Sequence, residues 1–446
     1  MAALILLLLF YRPIVKSIFG SFLKRLMIER YEENIWEMVT ASIRLNPIMN
    51  VENSLRAETG KIIKRPFGSP RKFLNFDGLI FSPAQLSVMP TDGKASIDTK
   101  IIIGPCAKKP LQLNIPLLLG AMGYGVAVSE KVRIALAKGT AAVGTATNTG
   151  EGGFLPEDRK HAKHLILQYG KAKWSKDPEI LKQADAIEIH IGQGAHASSS
   201  SKITPQDLPG RARDIMGLEP GEDAVLPSRH KELNKKEDLK NLVEYLRDAA
   251  GGVPIGIKLC ASQRLEEDLE SCIHAKVDFI SIDGGQAGTK GSPPILEDAF
   301  GLPTIYALSR AVQYLEKREV KDKISLLIGG GFFTPEDCLK ALALGADAVY
   351  MATAPLWAMT HMQVTKAIPF EPPTQLIYYS GKLKDDFDEE TAAHYLQNFF
   401  VSFVEEMKTA VEALGKTSIR EVNSKDLAAL DELTSKVTKV PLAYQQ

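Results

Sequence analysis

From residue 115 onward, short apolar runs recur, each ending in glycine or polar residues and each followed by a stretch of helical periodicity. They are IPLLLGAMG (115–123), AAVGTAT (141–147), HLILQYG (164–170), AIEIHIG (186–192), VPIGIKL (253–259), FISIDGG (279–285), ISLLIGGG (324–331) and AVYMAT (348–353). Continuous apolar runs are the mark of strands buried on both faces, and alternation with helices forces parallel pairing through right-handed crossovers. The pattern predicts an α/β fold, a (β/α)8 TIM barrel over residues 111–385. The connection 193–234 is too long for a turn and is read as an insert or lid over the site.

The flanks are different. Residues 26–110 carry turn-forming stretches, RPFGSPRKF (65–73) and FSPAQL (81–86), and are read as an N-terminal cap on a barrel end. After the last run come a loop with Pro369, Pro372 and Pro373, a helix over about 389–414 and a last helix near 424–438, grouped as C-terminal helices 386–446. Residues 1–25 form a separate hydrophobic and basic segment. Its apolar stretch AALILLLLF (2–10) covers only about half of a bilayer core of roughly 30 Å. The basic residues Arg12, Lys16, Lys24 and Arg25 follow it rather than precede it, unlike a secretory signal. The readings left open are part of a membrane anchor, an interfacial helix continuing through Ile18, Phe19, Phe22 and Leu23, and a plain docking helix. The expected location is cytoplasmic, with this segment as a candidate attachment to the inner face of the membrane.

Composition narrows the function. The chain of 446 residues has 54 Lys and Arg against 54 Asp and Glu, so no basic field favours nucleic acid. Its 45% hydrophobic content is that of a globular chain, which excludes wholesale disorder. Four cysteines, Cys106, Cys260, Cys272 and Cys338, show no paired spacing and fit a reducing compartment.

Barrel chemistry sits at the carboxyl ends of strands. The seventh run closes on Gly329, Gly330 and Gly331, and the eighth on Ala352 and Thr353. Glycines admit close backbone approach to an anion, and loops after the last two strands commonly hold phosphate, so a phosphate site is expected there. The sixth run leads into DGGQAGTKGSPP (283–294), in which Asp283, Gly284 and Gly285 would wrap a ribose or ribityl chain. Lys258 stands alone in an apolar run. An unpaired buried ammonium is costly, so it should face the barrel mouth and an anion or electron-rich ring. Glu151, His190, Gln193 and His196 follow the second and fourth runs and could orient a substrate. No metal site is expected.

Taken together, NTGEGG (148–153), GQGA (192–195), IKL (257–259), DGGQAGTKGSP (283–293), the GGG at 329–331 and GADAVYMAT (345–353) resemble the FMN-binding synthase domain of glutamate synthases. The likeness runs over roughly residues 60–385 and is nearest to short, stand-alone members, whose RPFGS and FSPAQL segments are also similar. It implies an FMN-dependent oxidoreductase acting on CH–NH2 donors, in which reduced flavin delivers hydride to an imine of 2-oxoglutarate and ammonia. By position, the backbone of Ala121, Met122 and Gly123 would line the isoalloxazine, with Asn148 and Lys258 near its polar edge. Gly329, Gly330, Gly331, Ala352 and Thr353 would hold the phosphate, and Asp283, Gly284 and Gly285 would meet the ribityl chain. Lys258, Gln193, His190 and Glu151 are the expected catalytic groups.

The departures from the family also carry expectations. Residues 354–446 contain no Cys, so an iron–sulfur cluster on the usual ligands is not expected. The glutaminase domain is missing from the sequence, so ammonia is expected from solution or a partner. His190 stands where the family has a Lys contacting the oxo-acid, and HASSSS (196–201) replaces a segment with Lys and Glu. With no GxGxxG after a strand, a ferredoxin or separate reductase is the expected electron donor, and a homo-oligomer the expected assembly. Open beside glutamate formation are a flavin enzyme for another amine or oxo-acid, a non-catalytic flavin-binding redox-sensing module, and a flavin-free barrel binding a phosphorylated metabolite.

Overall fold

The computed structural model describes residues 2–367 and 373–445. The chain divides into two units at Ile63 and Lys64. In the first, a helix Ala2–Ile28 is followed by helices Trp36–Arg44 and Pro47–Thr59. Buried Asn34 ties the turn between them, donating to Leu26 O at 2.7 Å and accepting from Trp36 N at 3.0 Å. The first helix leaves Ile14, Ile18, Phe19 and Phe22 exposed. Among the described residues no helix is long and apolar enough to cross a membrane, so the anchor reading gains no support.

The second unit contains the barrel. Its strands are β1 (Leu117–Leu119), β2 (Ala146–Asn148), β3 (His164–Tyr169), β4 (Ala186–His190), β5 (Ile255–Cys260), β6 (Phe279–Asp283), β7 (Ser325–Gly329) and β8 (Ala348–Met351). All eight runs read from the sequence are strands, and every pairing is parallel. The sheet runs β1-β8-β7-β6-β5-β4-β3-β2, a nearly closed TIM barrel. At the β1–β2 seam, Thr145 Oγ1 donates to Leu117 O at 2.6 Å in place of a strand ladder.

The barrel interior is layered. Leu118, Ala146, Ile166, Ala186, Phe279, Leu327 and Ala348 form an apolar layer with Ile101, Ile103, Leu111 and Leu113 from a hairpin, Ile101–Ile103 with Leu111–Leu113. That hairpin plugs the amino end, where Gly104 N donates to Ser325 Oγ at the start of β7. Phe279 takes its place because residue 256 is glycine; a Cβ there would lie 2.3 Å from the ring. With the amino end of the barrel interior filled by side chains, the barrel's mouth is at the carboxyl end.

Outside the barrel, helix Glu389–Ala413 packs so closely on helix Glu130–Val143 that a Cβ on Gly139 would meet Leu396 at 2.7 Å. The end of the chain departs from the expected helix at 424–438. Leu427–Ala429 is a strand antiparallel to Leu79–Phe81, and only Glu432–Thr438 is α-helical. The three-residue strand is too short for its period to be read from sequence. Most of the expected proline-rich loop, including Pro369 and Pro372, lies outside the described residues.

Candidate functional site

A cavity of about 440 Å³ opens at the carboxyl end of the barrel, within the roughly 300–1,000 Å³ usual for small-molecule and cofactor sites. One wall is built from two strand-end loops in close contact. Ala121, Met122 and Gly123 after β1 lie against the loop after β2, and the contact is main chain to main chain. A Cβ on Gly150, which has φ of +64°, would sit 2.5 Å from Gly123 N, and one on Gly152 would sit 2.3 Å from Tyr124 O. Only glycine permits this approach, which is the physical content of the NTGEGG motif. The two loops are also tied from below: fully buried Arg133 donates to Met122 O and Asn148 O, each at 2.8 Å, while pairing with Asp158 at 2.8 Å.

The opposite wall comes from the loop after β6 and from the RPFGS segment. Arg65 N and Ser292 O, and Ser292 N and Arg65 O, exchange hydrogen bonds, and Phe67 N donates to Thr289 O. The two segments touch so tightly that a Cβ on Gly288 would fall 2.3 Å from Phe67 O. Lys64, Phe67, Gly288, Thr289 and Lys290 thereby reach the cavity, as do Ala352 and Thr353 at the start of helix Thr353–Thr360. The insert at 193–234 folds into an antiparallel pair, Ser201–Ile203 with Ala224–Leu226, and Ser201, Lys202, Ile203 and Leu226 line the cavity. Its position agrees with the lid expected there.

Titratable groups cluster at the ends of β2, β3 and β4. Glu151 Oε1 lies 2.8 Å from His190 Nδ1. Burial alone would raise the Glu151 pKa, but His190 foremost, then Lys171 and His196, hold it down at about 2. His190 Nε2 is buried and has no hydrogen-bond partner among the described residues. Its carbonyl accepts from His230 Nε2 at 2.9 Å, and His230 stacks on Tyr169. Gln193 Nε2 reaches Thr289 Oγ1 at 3.4 Å. Burial, reinforced by the Lys64 charge, lowers Lys290 to about 8. Burial likewise lowers His196 against the pull of Glu151.

Lys258 does not line this cavity. It is buried one layer below, with Nζ 3.1 Å from Asp283 Oδ2 and 5.4 Å from the centre of the Tyr350 ring. Burial opposes its charge, but Asp283 and then Glu188 outweigh that and hold its pKa above the ordinary lysine value. Asp283 is thus committed to Lys258, and Asn148 is committed to Glu188, donating to Oε1 at 3.0 Å. Gln168 and Ser281 also donate to Glu188, at 2.8 and 2.6 Å. The sequence reading missed Glu188, Arg133 and Lys171. An ionisable residue inside an apolar strand was the available signal for Glu188, the same signal that marked Lys258.

The seventh-strand glycines are also placed differently from the cavity wall. Gly330 accepts from Thr304 Oγ1 through its carbonyl, and a Cβ on Gly331 would meet Gln286 at 3.0 Å. Gly284 and Gly285 are buried, their amides donating to Gly329 O and Leu302 O. The structure therefore brings Ala121, Met122, Gly123, Glu151, His190, Gln193, His196, Ala352 and Thr353 around one space. Asn148, Lys258, Asp283, Gly284, Gly285 and Gly329 are buried outside its lining, whereas Gly330 is half-buried and Gly331 exposed.

Residues 78–417 match the conserved region in glutamate synthase. The chain belongs to the glutamate synthase family. It is 31% identical over 406 residues to a glutamate synthase large subunit-like protein of Rhizobium meliloti (strain 1021), a match covering 87% of this chain and 91% of that protein. It is 28% identical over 330 residues to the archaeal-type glutamate synthase [NADPH] of Thermotoga neapolitana, covering 68% of this chain and 64% of that one. Among solved structures, the flavin-binding domain of baker's yeast flavocytochrome b2 superposes with a TM-score of 0.51 at 17% identity, covering 83% of this chain and 80% of that one. That likeness is one of fold. Among the described residues no group of three or more His, Cys, Asp or Glu could hold a metal ion.

Proposed function

We propose that this member of the glutamate synthase family is an FMN-dependent oxidoreductase that moves a hydride between flavin and an imine, amino acid or related small substrate. Glutamate formation from 2-oxoglutarate and ammonia is the specific case. The observation that carries the reading is the wall at residues 121–123, where glycines bring two strand-end loops into main-chain contact along a cavity edged by Lys64, Lys171 and Lys290. A flat ring needs such a wall, and a phosphate needs amides and positive charge, which the start of helix Thr353–Thr360 offers. The residues present therefore fit FMN, with Ala121, Met122, Gly123, Ala352 and Thr353 as its holders. When bound, FMN supplies a two-electron carrier that no side chain of this cavity provides.

The chain's own residues do the rest. His190 Nδ1 lies 2.8 Å from Glu151 Oε1, and its buried Nε2 has no hydrogen-bond partner among the described residues. Gln193 and Thr289 offer an amide and a hydroxyl for orientation, and Phe67 and Tyr378 help exclude water. Lys258, fixed by Asp283, contributes positive charge from under the floor. A second reading, another amine or oxo-acid as substrate, is favoured by His190, which stands beside Glu151 where the family has a Lys. Electrons are assigned to a separate reductase or ferredoxin.

The test begins with the absorbance spectrum of the purified full chain, expected to show bound flavin released as FMN. Reduced protein is then mixed with 2-oxoglutarate and ammonium. Reoxidation with equimolar glutamate supports the specific case, reoxidation by other oxo-acid and amine pairs supports the second reading, and a protein unable to take up FMN refutes both.

A further inference from the structure

Lys171 stands out among the charged groups of the barrel. It follows β3 by two residues, is only 6% exposed, and lines the cavity. Yet it has no hydrogen-bond or ion-pair partner among the described residues, unlike buried Arg133 and Lys258, which are both paired. The nearest carboxylate, Glu151, attracts it but is already engaged by His190 at 2.8 Å. His196 adds a further basic group to the same corner. Burial of the side chain pulls the Lys171 pKa below the ordinary lysine value, and an ammonium left without a counter-charge at a cavity wall is stabilised when an anion enters the cavity. Phosphate is not that anion in the present reading, since its expected holders, Ala352 and Thr353, follow β8, three strands away round the barrel.

We propose that Lys171 is the specificity-determining residue that anchors a carboxylate of the substrate. The proposal rests on the oxidoreductase reading for the identity of the reaction, but the binding step does not. An incoming carboxylate accepts a charge-assisted hydrogen bond from Lys171 Nζ, and its remaining atoms lie toward His190 and Gln193.

Calorimetric titration of the full chain with 2-oxoglutarate, and separately with glutarate and acetate, tests this without relying on turnover. Wild type is expected to bind at least one of the three carboxylates at millimolar concentration. Lys171→Met is expected to weaken that binding about tenfold or more, with Lys171→Arg recovering part of the loss. FMN content should be equal in all three proteins. Because Lys171 has no internal partner, Lys171→Met should melt at or above the wild-type temperature, whereas a structural lysine would lower it. Unchanged carboxylate affinity in Lys171→Met, no carboxylate binding by wild type, or a destabilised Lys171→Met would each overturn the proposal. Should Lys171→Met fail to fold, that counts as destabilisation, and Lys171→Gln gives the affinity comparison. Failure of the flavin reading looks different: a colourless wild type whose carboxylate binding still depends on Lys171.

Discussion

Replacing Arg133 by methionine tests whether the backbone wall of the cavity is held from beneath by one side chain. The guanidinium is fully buried and bonds both oxygens of Asp158 and the carbonyls of Met122 and Asn148. Methionine fills similar space but leaves a carboxylate, itself 2% exposed, without its counter-charge. Breaking a buried pair from one side costs about 3–5 kcal/mol. The two carbonyls add about 1 kcal/mol or more each if water does not reach them. A loss of roughly 5 kcal/mol follows, a large share of the roughly 5–15 kcal/mol that holds most domains folded. Urea denaturation followed by circular dichroism reads this directly, and flavin content reads the wall. The double variant Arg133→Met, Asp158→Leu should recover much of the loss, because removing both partners strands no charge. A single variant within ~1 kcal/mol of wild type and with full flavin would show that the wall stands without the clamp.

Gly150→Ala should abolish flavin uptake and lower solubility, since a Cβ at φ of +64° would meet Gly123 N at 2.5 Å; normal flavin content in that variant would contradict the wall described above. The Glu151–His190 pair predicts acid sensitivity. Its folded-state carboxyl titrates at about 2 against an ordinary 4.5, so the stabilisation is present above about pH 4.5 and is lost as pH falls toward 2. That shift corresponds to roughly 3 kcal/mol, and Glu151→Gln should flatten the acid limb of a stability–pH curve; an unchanged limb would remove the pair from consideration. Lys258→Met should slow photoreduction of bound flavin and also destabilise the fold by stranding Asp283, whereas equal photoreduction rates would take Lys258 out of the chemistry. Iron and acid-labile sulfide assays should find no stoichiometric cluster, given that no Cys follows residue 338.

The barrel was legible because parallel strands buried on both faces leave a signature that needs no partner to be read. Each of the eight apolar runs became a strand within a few residues of its expected place. What the sequence hides is pairing across strands. Lys258 is plainly exceptional in IGIKLC, but that it meets Asp283 depends on the register that sets Lys258 beside Ser281 and Cys260 beside Asp283. Glu188 is likewise exceptional among the apolar neighbours of AIEIH, but its partners are set only when β3 and β5 pair with β4. Lys171 sits in KAKWSK, a stretch that reads as solvated, yet in the folded chain it is only 6% exposed. Arg133 offers no local signal, since an arginine in a helix is ordinarily exposed.

The layering of the barrel bears on why so many ionisable groups sit inside it. Below is an apolar plug, above is the cavity, and between them Asn148, Gln168, Glu188, Lys258, Ser281 and Tyr350 form one polar storey. Glu188 accepts from three donors and Lys258 has Asp283, so the storey approaches the full satisfaction that makes a buried network rigid rather than merely expensive. Such a floor cannot shift one member without stranding another. It therefore fixes where β2 to β6 present their next residues upward, and those residues include Glu151 and His190, which line the cavity. A change confined to the storey, such as Ser281→Ala, touches no cavity atom yet removes a 2.6 Å donor from Glu188. If the floor positions the site as this geometry implies, that variant alters carboxylate binding while leaving Lys171 and the cavity lining intact. Identical binding in Ser281→Ala would mean that the storey serves the fold alone.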